Sequence, residues 1–146
     1  MMRHHPEPLI IPTHSTEFPW ATDAPLGRQL TTGDCRLNLL IRCHSGRADG
    51  VLQTLMQSCE PPFQLCTLPG PLALPSQETG TFFLENASAL TLAQQIRLYD
   101  WMSGNLGQIQ VISVVFEPLY PMVERGQFLE GLFYRLNVVS LEAETR

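Results

Sequence analysis

Five short apolar runs, each closed by a polar, glycine or proline break, constrain the fold of this chain more than any other feature of its sequence. They lie at residues 37–41, 63–66, 81–84, 109–116 and 136–141. Segments with helical spacing separate them, notably residues 51–56 and a longer stretch that begins near Thr91 and is expected to end at Gly104. Strands of this kind predict an α/β domain with a mainly parallel five-stranded sheet buried on both faces.

The remaining segments complete a single-domain organisation. Residues 1–19 contain several prolines and three of the four histidines, which predicts a loosely ordered arm. The domain is expected to span residues 20–146, with one helix in the 20–32 region behind an Asp23 cap and shorter helices near 121–125 and 132–134. Ligands of parallel sheets bind where strands end, so the residues that follow each strand are the candidate site.

The composition excludes several functions. The chain has nine arginines and no lysine, so lysine-based Schiff-base chemistry is excluded. Its net charge is −5 and it has no basic stripe, which argues against direct binding of nucleic acid. No apolar run approaches the roughly 20 residues of a membrane span.

The four cysteines predict reduced, mostly buried thiols. Cys35, Cys43, Cys59 and Cys66 contain no C-x-x-C pair, so a zinc knuckle or a thioredoxin-type site is not expected. The N-terminal residues lack a signal-peptide core, and we therefore expect a cytoplasmic protein.

Several motifs resemble the AAA+ domain of sigma-54-dependent transcription activators. Residues 80–87 read GTFFLENA, where that family has GTLFLDEI in its Walker B strand, and residues 109–112 match its sensor strand. The sharpest agreement is GQFLEGLFYRLNVV at residues 126–139, where the family reads GRFREDLYYRLNV. The resemblance implies a P-loop NTPase-like AAA+ core, a three-layer α/β sandwich covering most of the chain after the arm.

The resemblance also places the phosphate-binding loop of the family at residues 40–50, LIRCHSGRADG. Ser45 and Gly46 are retained, but the first and last loop glycines are Cys43 and Ala48, and the lysine is Asp49. Glycines let backbone N–H groups approach the phosphates, and the lysine neutralises them. An aspartate repels them instead, a change of several kcal/mol at about 4 Å and an effective dielectric near 20. Ordinary nucleotide binding is not expected.

The other catalytic groups of the family are replaced as well. The Walker B aspartate is Glu85, the catalytic glutamate is Asn86, and the sensor Thr-Asn pair is Val115-Phe116. An amide cannot accept a proton at neutral pH, so Asn86 cannot activate water. Of the two arginines that resemble inter-subunit fingers, the first is Leu129 and only Arg135 remains. These replacements together predict a pseudo-ATPase with no catalytic residue and no cofactor.

Residues 64–79 also lack the GAFTGA loop with which the family contacts sigma-54, and no helical lid or helix-turn-helix is expected in this chain. The predicted function is a non-catalytic regulatory module that associates with itself or with AAA+ activator subunits. The alternatives are an ATP-binding activator domain that still responds to nucleotide and Mg²⁺, and a fragment of a response regulator.

Four smaller alternatives remain at the candidate residues. Glu85 and Asn86 could hold a metal, although a capping role is favoured, and His44, Ser45 and Asp49 only superficially suggest a nucleophilic triad. Cys43 is expected to be buried rather than redox-sensitive. Arg135 is expected to pair with Glu130 or another acid rather than act as a finger.

Overall fold

The computed structural model describes residues 9–11, 37–105 and 108–143, the first three as backbone only. These ranges contain six strands and four α-helices. The strands are β1 (Leu9–Ile11), β2 (Leu39–Arg42), β3 (Phe63–Thr67), β4 (Gly80–Glu85), β5 (Ile109–Val115) and β6 (Val139–Ala143). The helices are α1 (Ala48–Met56), α2 (Leu92–Asn105), α3 (Tyr120–Glu124) and α4 (Glu130–Leu136).

All strands form one sheet in the order β1-β6-β2-β5-β4-β3, and every neighbouring pair is parallel. The α/β class and the five strands expected from the sequence are therefore confirmed. A sixth strand, β1, lies within the segment interpreted as a loose arm and pairs with β6, with Leu9 opposite Leu141. A run of three apolar residues is too short to predict a strand by itself. Strand β1 is stabilised by its pairing with β6, which lies about 130 residues later in the chain.

Two element boundaries differ from the prediction. Helix α2 continues through Gly104 to Asn105, so Gly104 does not end it. Leu136 is the last residue of α4 and not the first residue of a strand, because its side chain faces the helical side of the core. The helix expected in the 20–32 region and Cys35 lie outside the described residues.

The alternating side chains of the strands divide the core between the two faces of the sheet. On one face, Leu39, Ile41 and Phe83 pack against Val51 and Leu55 of α1. The other face carries α2, α3, α4 and part of the connection between β3 and β4 over a larger apolar cluster. Central β5 is buried along its whole length, as expected for a strand covered on both sides.

A buried amide fastens the helices to each other. Gln95 of α2 is 1% exposed, and its Nε2 donates to the carbonyl oxygens of Leu90 and Gln127. Its Oε1 accepts a hydrogen bond from the N–H of Leu129 at 2.8 Å. Gln95 therefore fixes the segment that leads into α4 against α2.

Candidate functional site

The carboxyl ends of β2, β4 and β5 bring the predicted nucleotide-site residues to one edge of the sheet, whereas Arg135 lies on α4. The N–H of Cys43 donates to Val115 O at 3.0 Å, and the N–H of Asn86 donates to Val114 O at 2.8 Å. Phe116 follows β5 and packs against the apolar cluster that contains Cys43. The loop after β2, the end of β4 and the end of β5 are therefore neighbours, as the resemblance implies.

The loop between β2 and α1 forms a 3-10 turn at Ser45–Arg47. The N–H of Arg47 donates to His44 O at 2.9 Å, and the N–H of Ala48 donates to Ser45 O. These donors are consequently used within the chain. A phosphate-binding nest requires successive N–H groups to converge on the anion, typically through a residue with positive φ. Within the described ranges, positive φ values occur at Asn86, Gly70, Gly80 and Gly126, all outside this loop.

The loop residues differ in burial, and their burial agrees with the 3-10 turn. Ala48 is 1% exposed and its methyl group belongs to the core beneath α1, whereas Ser45, Gly46 and Asp49 are exposed. A Cβ added at Gly46 would meet no atom within 4 Å, so no close approach requires a glycine there. Asp49 places a carboxylate in the first turn of α1, which favours the helix because that end carries positive partial charge.

Glu85 and Asn86 close the end of β4. Thr67 Oγ1 donates to Glu85 Oε1 at 3.4 Å. Asn86 has φ 68° and ψ 54°, a left-handed conformation that asparagine tolerates better than most residues. Its Nδ2 donates to Leu68 O at 3.2 Å, and its Oδ1 accepts from Ser88 Oγ at 3.0 Å. The amide thus joins the end of β3 to the turn after β4. It makes no capping hydrogen bond to the helical turn that follows, so the capping role expected from the sequence is not observed.

No group of three or more histidine, cysteine, aspartate or glutamate side chains suited to a metal ion occurs in the described part of the chain.

The environment of Cys43 makes it a weak nucleophile. Burial raises the pKa of the Cys43 thiol to about 11, the nearby Arg47 lowers it in part, and the Glu85 carboxylate raises it again. At neutral pH the thiol is therefore protonated, since a thiolate beside a carboxylate in an apolar site is unfavourable. Cys43, Cys59 and Cys66 are all free and buried, as the sequence predicts for them.

The Arg135 side chain packs against α2, whereas a finger residue projects from its helix. Its Nη1 donates to Ser103 Oγ at 2.7 Å, its Nη2 donates to Tyr99 OH at 3.4 Å, and its guanidinium lies 4.2 Å from the centre of the Tyr99 ring. The partners that the structure describes are thus on α2, in place of the acidic partner expected from the sequence.

Asn38 is a polar residue whose side chain makes two hydrogen bonds to the backbone, and the sequence did not single it out. Its Nδ2 donates to Arg135 O at 2.9 Å, and its Oδ1 accepts from the N–H of Val111 at 2.8 Å. It therefore joins β5 to the end of α4 at the amino edge of the sheet. Its position as the one polar residue within the apolar run 37–41 was the only available signal, and that signal does not reveal which groups the amide binds.

The parallel sheet with helices on both of its faces defines a three-layer α/β domain with a P-loop NTPase-like fold. Solved structures of NtrX from Brucella abortus share this fold: one has a TM-score of 0.63 at 17% identity, over 81% of this chain and 34% of NtrX. The same protein in complex with ATP gives 0.63 at 16% identity, over 82% and 33%, and in complex with ADP gives 0.59 at 16%, over 73% and 32%.

This chain therefore spans about a third of the length of the NtrX chains that it matches. No protein-family model matches the sequence, and no curated protein matches it significantly. At this level of identity the likeness establishes the fold. In addition, no helix in the described ranges is long and apolar enough to cross a membrane.

Proposed function

We propose that this chain is a non-catalytic regulatory module, related to the sigma-54-dependent activators, that keeps the AAA+ fold without binding ATP in the ordinary way. The observation that carries the proposal is the 3-10 turn at Ser45–Arg47, whose hydrogen bonds occupy the N–H groups of Arg47 and Ala48. A phosphate that entered this loop would have to break that turn before it could accept a hydrogen bond from either group.

The charges at the same edge also support the proposal. Asp49 is exposed where the resemblance requires a lysine, and Glu85 lies at the end of β4. A triphosphate at this edge would therefore meet carboxylates. Arg47 is a cation of this loop, but it is half-buried and lies close enough to Cys43 to lower the pKa of the Cys43 thiol. It does not take the position of the missing lysine.

Calorimetric titration of the 146-residue chain with ATP and Mg²⁺ tests the absence of nucleotide binding. We expect no saturable heat at millimolar nucleotide. Asp49→Lys is the matched variant, since it reverses the charge and leaves the turn in place, and we expect it to remain unable to bind ATP. Tight binding by the wild type that is lost on substitution in the 43–50 loop would overturn the proposal. Binding by the Asp49→Lys variant alone would show that charge, and not backbone conformation, is the obstacle.

A second candidate function is a nucleotide-responsive switch. It is favoured by the existence of NtrX complexes with ADP and with ATP on the same fold. Under this alternative the Ser45–Arg47 turn opens when nucleotide binds, and the titration described above would give saturable heat with Mg²⁺-ATP. The remaining alternative, that this chain is a fragment of a response regulator, is compatible with its partial coverage of NtrX. The genomic sequence downstream of the codon for Arg146 tests it.

The partner of such a module is a second copy of the chain or an AAA+ activator subunit. This part of the proposal is supported by the preserved α4 segment and by two exposed apolar residues of α2, Leu92 and Ile96, which are 58% and 47% exposed. Light scattering after size exclusion, with the chain alone and mixed with full-length NtrX, measures the association. A strict monomer that never co-elutes with NtrX would contradict it.

A further inference from the structure

Strand β3 lies at one end of the sheet, and in the described part of the chain it pairs with β4 alone. Phe63 lies opposite Thr81, and the N–H of Thr81 donates to Pro62 O at 3.1 Å. In a parallel pair, alternate residues of a strand bond to the same neighbour, so the even-numbered residues of β3 face β4. The backbone N–H and C=O groups that point to the open edge are therefore those of residues 63, 65 and 67.

The open edge also carries apolar side chains. Phe63 and Leu65 are 40% and 46% exposed. Leu65 lies opposite Phe83, and the rings of Phe63 and Phe83 are 6.1 Å apart, edge to face. Because Phe83 belongs to the cluster beneath α1, Phe63 and Leu65 continue the apolar surface of that face out to the edge of the sheet. Unpaired backbone groups beside exposed apolar side chains form a template for another extended segment.

Prolines limit the length of this template. Pro61 and Pro69 occupy the next odd-numbered positions before and after the strand. Since proline has no N–H group, a hydrogen-bonded ladder on this edge is confined to about the five residues of β3. The edge therefore fits one short extended segment.

The charge around the edge is acidic. Residues 48–96 contain four acids and no arginine, lysine or histidine. At the carboxyl end of β3, Glu85 Oε1 accepts a hydrogen bond from Thr67 Oγ1 at 3.4 Å. At the amino end, Glu78 is exposed two residues before β4 begins. The loop that carries Arg47 follows β2, which β5 and β4 separate from β3.

This charge distribution decides between two occupants of the edge. In an antiparallel pair of β3 strands from two copies, Glu85 of each copy would approach Glu78 of the other, and carboxylates of like charge would meet at both ends. The net charge of −5 on each chain adds to this repulsion. A segment with a cation at each end is complementary to the same two carboxylates.

We propose that the open edge of β3 binds, by strand addition, an extended segment of a partner protein that has apolar residues at alternate positions and a lysine or arginine at each end. Phe63 and Leu65 contact the apolar side chains, and Glu78 and Glu85 attract the terminal cations. The inference goes beyond the proposed function, because this surface is distinct from the exposed residues of α2 and requires no nucleotide.

Two peptides of opposite charge test the proposal, Ac-KVTVTVK-NH2 and Ac-EVTVTVE-NH2. Each is titrated into the full 146-residue chain and followed by amide NMR. We expect the basic peptide to bind with a Kd of about 0.1 mM, because a five-residue edge buries far less than the roughly 800 Å² per partner of a standard interface. The acidic peptide should bind at least about tenfold more weakly.

Hydrogen exchange locates the bound peptide. The N–H groups of residues 64 and 66 bond to β4 and should be protected in the free chain. Those of residues 63, 65 and 67 should exchange faster, and about 1 mM basic peptide should slow them about tenfold, as expected for a Kd of about 0.1 mM. Protection that does not alternate in this way would contradict strand addition.

Three variants separate the contributions to binding. Leu65→Pro removes the central outward N–H and leaves the bonds to β4 in place, so it should abolish binding of the basic peptide. Leu65→Thr keeps the backbone donor and removes apolar contact, so it should weaken binding several-fold and serves if Leu65→Pro does not fold. In the double variant Glu78→Gln/Glu85→Gln, the two peptides should bind within about twofold of each other.

Four outcomes would overturn the proposal. They are no binding of the basic peptide to the wild type, equal binding of the two peptides, binding unchanged in a folded Leu65 variant, and a wild-type dimer that Leu65→Pro disrupts. The last would show that the edge is an interface between two copies of the chain. The ATP titration and the co-elution with NtrX do not depend on peptide binding, so failure here is distinguishable from failure of the proposed function.

Discussion

Arg135 and Ser103 form a polar link between α4 and α2, with 2.7 Å between Nη1 and Oγ. The same guanidinium stacks 4.2 Å above the ring of Tyr99, one turn earlier on α2. Gly131 contributes to this arrangement, since a Cβ there would lie 3.1 Å from the Tyr99 ring. The arginine that resembles a finger therefore has a packing role that is sufficient to explain its presence.

Arg135→Ala should destabilise the domain by about 2 kcal/mol, because it removes a hydrogen bond from a charged donor and a cation–π contact. Urea denaturation followed by circular dichroism measures the change. Ser103→Ala should cost about 1 kcal/mol, and the double variant should cost less than the sum of the two. Strict additivity would contradict a direct link between these side chains.

Gly80→Ala should destabilise the domain by about 3 kcal/mol, and Gly46→Ala should change its stability by no more than about 0.5 kcal/mol. Gly80 has φ 122°, and a Cβ there would overlap the backbone oxygen of Pro62, whereas a Cβ at Gly46 meets nothing within 4 Å. Thermal or urea denaturation of the two variants provides the comparison. A large loss at Gly46 would indicate that the loop after β2 has a different conformation from the turn described above.

Alkaline pH should weaken the fold partly through Cys43. The thiol has a folded pKa of about 11 against an ordinary value of 9.0, so the unfolded chain loses its proton first. The contribution of the protonated Cys43 thiol to the free energy of unfolding is complete below pH 9 and is lost as the pH rises through 11. Cys59, whose pKa burial raises to about 12, acts in the same direction.

Cys43→Ala is the control for this effect. The drop in urea midpoint between pH 8 and pH 10.5 should be smaller in the variant than in the wild type. Thiol modification provides a second readout: Cys43 of the folded chain should react slowly at pH 8. Rapid modification of Cys43 at that pH would contradict the buried, protonated thiol.

The positions of the strands and helices could be predicted from the sequence because buried apolar runs and helical spacing are local signals. Residues 109–116 illustrate this, since β5 covers all but the last of them. The candidate site residues were placed at one edge because parallel strands bring their carboxyl ends together. Strand β1 and the two contacts of Asn38 could not be predicted, since both depend on pairing across more than 70 residues.

The conformation of the loop after β2 was also beyond sequence reasoning. The replacements at Cys43, Ala48 and Asp49 predicted the loss of phosphate-binding groups. They did not predict that Ser45–Arg47 would fold into a 3-10 turn that uses its own N–H donors. A loop that keeps one of the family's glycines can form either a 3-10 turn or a phosphate-binding loop with exposed N–H groups. The choice depends on small differences in backbone energy, which residue type alone does not determine.

Restoring the catalytic residue of the family at position 86 should damage the fold without restoring activity. Asn86→Glu loses the amide donor to Leu68 O and places a longer side chain at φ 68°, where asparagine is favoured. We expect Asn86→Glu to lose about 2 kcal/mol of stability and to show no ATP hydrolysis.

Asn86→Gly is the matched variant, because it keeps the backbone conformation and loses only the side-chain bonds. Its loss of stability should be smaller, about 1 kcal/mol. Urea denaturation and a phosphate-release assay check the two parts. Equal losses in both variants would show that the left-handed conformation contributes nothing to the preference for asparagine, and hydrolysis by Asn86→Glu would show that the loop after β2 can still hold ATP.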